Sequence, residues 1–358
     1  MGLLQKIERA WIDVSARTGA LRVFEARARR TSRSVILCYH GIRPERGLAF
    51  DPNGAMHVTP ELFETHLAYL TRACDVLPLD AIADRRVTPA PNGRVAVAIT
   101  FDDGYRDNLD VAFPLLRKHA CPATIFLPTS FIGTGRPFWW EQLEAWISDA
   151  RAPVAHDGDV YDLATVSGKD RLFDRLRVGL TRAGPARRQQ LLEHARALLA
   201  ASRDVESSTL SWPQIDSLAA SGLISFGAHT VNHFAVSSLT DAELDFEVGA
   251  SRHALAQRLA VPSGFFAYPY GRYADLDPRA DGVLRKHGFT GAVTLVAGAV
   301  ERSPSAYFLP RIFVERDDDV ARLRAKIAGV DAPFWLGRRI LDGGSQRRIP
   351  SGDSPAPR

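Results

Sequence analysis

From Arg94 to Phe101 the chain runs through Val95-Ala96-Val97-Ala98-Ile99-Thr100-Phe101 and then stops on Asp102-Asp103-Gly104. A buried-looking strand ending in two adjacent carboxylates is costly unless something compensates their charge. Side chains alternate along a strand, so Asp102 and Asp103 diverge and can take different tasks, one gripping a cation and the other polarising whatever that cation holds. The competing reading is a strand-to-helix turn in which Asp102 or Asp103 merely caps a helix starting near Asn108.

Two histidines, His229 and His233, stand four residues apart in Phe226-Gly227-Ala228-His229-Thr230-Val231-Asn232-His233. That spacing places two imidazoles on one side of a helical turn. Added to one aspartate they give two nitrogens and one oxygen, a set that leaves a coordination position for water, as in catalytic zinc-like sites.

After Arg33 strand and helix signals alternate. Strands are expected at Ser34 to Tyr39, Arg94 to Phe101, Ala123 to Pro128, Leu223 to Gly227, Gly264 to Tyr268 and Gly291 to Leu295. Helices are expected from Thr59-Pro60-Glu61 onward, and at Asn108 to His119, Pro213 to Ser221, Asp241 to Leu259 and Ala280 to His287. Such alternation argues for a parallel sheet, and the chemically demanding residues fall at strand C-terminal ends, where barrel enzymes build their sites. The reading is a distorted βα barrel. Between about residues 135 and 211 the leucine spacing of Leu172, Leu176 and Leu180, then Leu191, Leu192, Leu198 and Leu199, predicts helices separated by Gly184-Pro185. The aromatic start of this insertion, Phe138-Trp139-Trp140, fits either a platform for sugar rings or core packing.

Two further segments, Phe265-Phe266-Ala267-Tyr268-Pro269-Tyr270-Gly271 and Phe308-Leu309-Pro310-Arg311-Ile312, complete a pattern. In this order, Thr-Phe-Asp-Asp-Gly-Tyr, His-Thr-x-x-His, Tyr-Pro-Tyr-Gly and Leu-Pro-Arg resemble the polysaccharide deacetylase family, carbohydrate esterase family four, with its NodB-homology domain. The likeness runs from about Val35 to about Val320. It implies an α/β fold, a distorted, incomplete (β/α)7 TIM-like barrel with a helical insertion, and hydrolysis of acetyl groups from N-acetylated sugars. It also implies Asp103, His229 and His233 as ligands of a divalent metal, zinc foremost, with cobalt or another cation as alternatives. Asp102 matches the family's general base, the backbone N–H of Tyr270 its oxyanion donor, and Thr230 a residue that orients the surroundings. Two departures stand out. The family often has an arginine where this chain has Ala267, and Arg311 could substitute as the tether of Asp102. The family's histidine acid after a leucine is replaced by Pro310-Arg311-Ile312, and Cys38-Tyr39-His40-Gly41 resembles a poly-N-acetylglucosamine deacetylase subgroup in which an N-terminal histidine, here His40, takes that part. The same machinery would also serve O-acetyl esters or other amides. A non-catalytic glycan-binding chain would lack a ligand or the base, and none is missing.

The calculated pI of 9.1 rests on a net charge of only +4, with no basic run interleaved with aromatics, so nucleic acid is not an expected partner. The expected partner is an acetylated poly- or oligosaccharide or a lipid-linked glycan. Cys38, Cys74 and Cys121 cannot all pair and show no metal-binding spacing, which favours buried thiols in a reducing compartment. Leu3 and Leu4 are followed at once by Lys6, Glu8 and Arg9, with no apolar core of a secretory signal, so a cytoplasmic chain starting at residue 1 is expected. Leu4, Ile7, Trp11, Val14, Leu21 and Phe24 recur at helical spacing beside Lys6, Arg9, Arg17 and Arg22, which fits either a helix docked on the barrel or one lying on the inner membrane surface through residues 1–30. The expected organisation is a helical arm over 1–33, a catalytic domain over 34–330, and a Gly, Ser, Pro and Arg-rich tail over 331–358, largely disordered.

Overall fold

The structure, a computed structural model, describes residues 3–84, 93–303, 305–332 and 334. The tail expected from residue 331 therefore lies, except for residues 331, 332 and 334, outside the described residues. Two helices lead, α1 (Leu3–Arg17) and α2 (Ala20–Arg30). Gly19 between them has φ 79°, a left-handed turn that glycine takes without strain, so the single helix expected over residues 3 to 24 is broken in two.

The barrel follows as β1 (Ser34–Tyr39), β2 (Gly41–Ile42), β3 (His57–Val58), α3 (Pro60–Ala73), β4 (Cys74–Val76), α4 (Leu79–Ala83), β5 (Val95–Phe101), α5 (Phe113–Lys118) and β6 (Ala123–Leu127). The insertion holds α6 (Trp139–Asp149), β7 (Val154–His156), β8 (Asp159–Tyr161), α7 (Val166–Arg182) and α8 (Pro185–Leu198). The barrel resumes with α9 (Trp212–Ala220), β9 (Ile224–Ala228), α10 (Asp241–Arg258), β10 (Phe265–Ala267), α11 (Arg279–Lys286), β11 (Gly291–Val293), β12 (Ile312–Phe313) and α12 (Val320–Ala328). The main sheet has the order β11-β10-β9-β6-β5-β1-β12, every pair parallel, with β4 beside the first half of β5. The sheet curls until Leu309, just before β12, bridges to Val293 of β11. Seven of the sheet's eight strands thus form the path of the incomplete barrel that the family resemblance implied, with β4 off that path. The segment from Leu309 to Phe313 links the two ends and carries Arg311 across the gap.

Strand parity sorts the core. On β1, β5 and β10 the residues Val35, Leu37, Tyr39, Val97, Ile99, Phe101 and Phe266 pack outward against the helical layer. Ile36, Ala96, Ala98, Phe126, Phe265, Ala267, Val293 and Leu309 fill the inside. The inward series on β5 is Ala96, Ala98, Thr100 and then Asp102, and on β1 it is Ile36, Cys38 and then His40. The small alanines of β5 leave the room that Arg311, fully buried, occupies. The insertion has its own core around Phe138, Leu143, Leu172, Phe173, Leu176 and Leu180.

Two local differences from the sequence expectation have physical causes. The helix expected from Asn108 begins as a π turn over Asn108–Ala112 and becomes α-helical at Phe113, because Pro114 lacks the N–H that would bond the Asp110 carbonyl. The insertion also contains a β7–β8 hairpin that the leucine spacing did not reveal. It is closed by Asp157 and Gly158 at φ 52° and 82°, the left-handed pair of a tight hairpin turn.

Candidate metal and catalytic centre

Asp102 lies at the inner end of β5 and Asp103 one step beyond. Strand alternation would send Asp103 to the opposite face, but its backbone is left-handed at φ 71°, followed by Gly104 at 63°. The chain turns sharply there, and both carboxylates end up buried at one mouth of the barrel. Among the described residues eight non-glycines have positive φ, and four of them, Asp103, Thr230, His233 and Tyr270, belong to this mouth. Each such position costs on the order of 1–3 kcal/mol and persists only where the surroundings enforce it.

His229 and His233 follow β9, and the residues between them are not helical, so the expected helical turn is corrected. The loop doubles back at two left-handed residues instead. Thr230 Oγ1 accepts from His233 N at 2.9 Å. Glu247 on α10 accepts from Val231 N and Asn232 N, both at 2.8 Å, and from Asn232 Nδ2 at 2.7 Å. Held this way, the Nε2 atoms of His229 and His233 come 3.8 and 3.3 Å from Asp103 Oδ1. His229 Nδ1 meets the Ala267 carbonyl at 2.7 Å, which fixes the proton on Nδ1 and leaves the Nε2 lone pair facing Asp103. Burial lowers the pKa of His229 to about 4 and that of His233 to about 3, so both imidazoles are neutral near neutral pH and could serve as ligands. Asp103 Oδ1 is buried and has no hydrogen-bond partner. One atom from each of these three residues lies within 4.8 Å of the others. Three converging lone pairs around an unpartnered buried carboxylate oxygen fit a divalent cation.

Asp102 is held differently. Arg311 Nη1 donates to its Oδ1 and Nη2 to its Oδ2, both at 2.7 Å, while Arg311 Nε donates to the Thr294 carbonyl at 2.9 Å and Nη1 to Thr100 Oγ1 at 3.2 Å. Burial would push the Asp102 carboxyl up, but the guanidinium overrides it and holds the group well below the usual carboxylate range. Cys38 Sγ donates to Asp102 Oδ2 at 3.4 Å, so this cysteine is more than core filling. The other two thiols, Cys74 and Cys121, are buried and free. Cys38, His40 and Asp102 also cluster within ligand distance of one another. They do not make a second cation site, because both Asp102 oxygens are taken by a guanidinium and burial holds the Cys38 thiol in its neutral form.

His40 stands at the inner end of β1, with its ring edge against Phe313 and its Nδ1 unpartnered. Asn108 Nδ2 donates to the His40 carbonyl at 2.9 Å and so fixes the turn after β1. Burial lowers the His40 pKa, and the negative charges of Asp103 and Asp102 oppose that. Tyr270 follows β10 at φ 59° with its ring edge on His233, centroids 4.8 Å apart.

The insertion roofs this mouth. Trp139 Nε1 donates to Tyr270 Oη at 2.8 Å and Trp140 Nε1 to Tyr105 Oη at 3.1 Å. Phe138 stacks on Trp140 at 4.4 Å, and Trp140 meets His233 in an edge contact, centroids 4.9 Å apart. Phe138, Trp139 and Trp140 are all buried, so they pack the loop that carries His233 and are not an exposed sugar platform. Arg188 of α8, stacked over Phe234, donates from Nη1 to the His233 carbonyl at 2.9 Å. Sequence reasoning missed Glu247, Arg188 and Asn108, and no spacing or composition marks them. Arg311 was named, and it occupies the tethering position left empty at Ala267.

The polysaccharide deacetylase family model matches residues 90–292. Among curated proteins the chain is similar to YxkH of Bacillus subtilis (strain 168), a protein named for polysaccharide deacetylase activity, at 22% identity over 281 residues, 78% of this chain and 70% of that one. Among solved structures it resembles a deacetylase from Streptococcus pyogenes, PplD, in complex with acetate, with a TM-score of 0.54, 19% identity, and 82% and 98% of the two chains covered. IcaB from Ammonifex degensii gives a TM-score of 0.53 at 22% identity over 83% and 97%. A de-N-acetylase from Aggregatibacter actinomycetemcomitans gives 0.51 at 15% over 82% and 99%. At these identities the likeness is one of fold.

Proposed function

The chain belongs to the polysaccharide deacetylase family, hydrolases that act on acylated polysaccharide, and on that footing we propose that it removes acetyl groups from N-acetylated sugars of a poly- or oligosaccharide with the help of a divalent metal. The observation that carries this reading is the separation, at one buried mouth, of a donor set, Asp103, His229 and His233, from a second carboxylate, Asp102, that is ionised and held by Arg311. Two imidazoles and a carboxylate suit zinc, with cobalt as the alternative. A cation held there would supply Lewis-acid activation of the attacking water and of the acetyl carbonyl, together several kcal/mol. Asp102 accepts the proton of the attacking water. Arg311 costs Asp102 basicity but guarantees that it is ionised and aimed. The left-handed Tyr270 turn presents its backbone N–H as donor to the oxyanion. The fold shared with a de-N-acetylase and with a deacetylase crystallised with acetate supports acetate as the product.

An amine leaves poorly unless it is protonated as the tetrahedral intermediate collapses, and His40 is the group proposed to deliver that proton. Arg311 is too basic to do so. His40→Ala is expected to lower turnover on an acetamido sugar by roughly 10²- to 10⁴-fold. An activated ester, whose leaving group needs no proton, should lose far less, and equal losses on both substrates would assign His40 to binding or folding instead.

Glu247 acts on the metal only through the loop between the two histidines. Glu247→Gln keeps the shape but turns one acceptor into a donor facing donors. It is expected to weaken metal affinity by roughly 10- to 100-fold, read by competition with a chromophoric chelator. Unchanged affinity would remove Glu247 from the metal's support.

The test of the function as a whole is acetate release from a panel of N-acetylated and O-acetylated saccharides, with zinc, with cobalt and without metal. Release from O-acetyl esters alone would replace the amide assignment.

A further inference from the structure

The first helix is apolar on two sides. Its inward side docks on the barrel, Ile12 packing with Leu21 of α2 and with Ala325, Ala328 and Val330, while Trp11 Nε1 donates to the Val330 carbonyl at 3.0 Å. Its outward side carries Ile7, Trp11 and Val14, which are 49%, 41% and 53% exposed. These positions follow i, i+4 and i+7, so they form one stripe along the helix. The arm is thus docked, as one of the two alternatives had it, and it still offers an apolar face to solvent. Val23 of α2, 71% exposed, brings to four the large apolar side chains that this short arm leaves in solvent, out of ten among the described residues.

The arm is basic on balance: residues 3–30 hold Lys6, Arg9, Arg17, Arg22, Arg27, Arg29 and Arg30 against Glu8, Asp13 and Glu25, and Arg9 is taken by Glu315 and Asp317. Asp13 and Glu25, acidic groups of the arm, are each gripped through both oxygens by arginines of α12, Arg322 and Arg324. Arg17, Arg22, Arg27, Arg29 and Arg30 are exposed. On α2 the exposed positions are Arg22, Val23, Arg27, Arg29 and Arg30, one valine among four arginines, and α1 ends in Arg17. A second copy of this surface would bring like charges together. The chain beyond residue 334 carries Arg338, Arg339, Arg347, Arg348 and Arg358 against Asp342 and Asp353, again the same sign. The complementary occupant is one that is anionic and also accepts apolar side chains.

We infer that the outward face of α1 and α2 docks on the surface of an anionic lipid bilayer, with Ile7, Trp11 and Val14 entering the headgroup boundary and the arginines of α2 lying against the charged headgroups. No helix of the described residues is long and apolar enough to cross a membrane, so the contact is with one leaflet surface. None of the residues of this face takes part in the proposed chemistry, and the inference stands whether or not that chemistry does.

The test is co-sedimentation of the full chain with vesicles of phosphatidylcholine alone, or of two parts phosphatidylcholine to one of phosphatidylglycerol, at low and high salt. Binding to the anionic vesicles only, weakened by salt, is expected. Arg22→Glu and Arg27→Glu should each weaken it by roughly fivefold or more. The double variant Ile7→Glu, Val14→Glu should bind at least roughly tenfold more weakly, with its thermal midpoint unchanged, since neither side chain is buried. Equal binding to both vesicle types, or wild-type binding by the double variant, would overturn the inference. So would a concentration-dependent dimer that the double variant abolishes, which would make the face a contact between copies of the chain. Binding that appears only after truncation beyond residue 334 would equally overturn it, because the stripe would then be covered by the chain's own terminus.

Discussion

Asp102→Asn is expected to lower turnover by roughly 10²- to 10⁴-fold while leaving metal content unchanged, because an amide cannot accept the proton of the attacking water. The same change strands Arg311, which has no solvent to turn to: it is fully buried, and both ends of its guanidinium rest on Asp102. Breaking a buried pair on one side costs about 3–5 kcal/mol, so a loss of stability should accompany the loss of activity. The double variant Asp102→Asn, Arg311→Met separates the two effects. It should regain most of the stability, since replacing both partners of a buried pair is often neutral, and none of the activity. The sign of the pH effect follows from the same pair. The folded-state pKa of Asp102 is depressed, so its contribution to stability is present above the ordinary carboxylate range and is lost only as pH falls through the lower folded value. The acid limb of kcat/KM in the wild type therefore does not come from Asp102. In Arg311→Met the main charge opposing burial is gone, so the carboxyl titrates higher and an acid limb should move up. An Asp102→Asn enzyme that turns over normally, or that loses metal as Asp103→Asn does, would show that the base and ligand roles are not divided in this way.

His229→Ala together with His233→Ala is expected to abolish metal binding, and activity with it, since only the Asp103 carboxylate would remain of the donor set. Asp103→Ala should do the same. Burial holds the two imidazoles neutral down to about 4 and about 3 and pushes the Asp103 carboxyl above its ordinary value, so metal content in the wild type should stay level near neutral pH and drop in the acidic range, where protons compete for the carboxylate and for Nε2. The lowered values carry a cost for the metal-free protein. An unfolded histidine takes up a proton near pH 6.5, so the metal-free fold should lose stability as pH falls from there toward about 4. Retention of stoichiometric metal by the double variant, measured by elemental analysis after gel filtration, would contradict the ligand assignment.

Much of this fold was legible because each strand is short, apolar and bounded. β1 and β5 were readable nearly to the residue, and His40 and Asp102 were already placed at their C-terminal ends. The Thr59 cap and Pro60 announced α3, and Thr59 Oγ1 does accept from Leu62 N. What failed had no local signature, or had one that went unread. Nothing near His233 says that its backbone is left-handed, because the strain is imposed by Glu247 and Arg188, which lie 14 and 45 residues away and belong to other helices. The β7–β8 hairpin was announced by Asp157-Gly158, a turn pair overshadowed by the leucine spacing around it.

The candidate residues were legible as types and as strand ends, but not as partners. Arg311 could be offered as a tether from the sequence, yet its hold on both oxygens of Asp102 depends on a sheet curled far enough for the Leu309 to Phe313 segment to lie between β11 and β1. The aromatic run Phe138-Trp139-Trp140 was ambiguous for a similar reason, since only the fold of the insertion turns it inward onto His233 and Tyr270.

The central claim, that Asp103, His229 and His233 hold a metal required for hydrolysis of an acetamido sugar, is tested most directly by following acetate release from an N-acetylated oligosaccharide. The same preparation would be assayed before metal removal, after stripping with a chelator, and after return of one equivalent of zinc or cobalt. The account predicts release that disappears on stripping, returns with the metal, and never returns in the His229→Ala, His233→Ala variant. Undiminished release from fully stripped protein would contradict it.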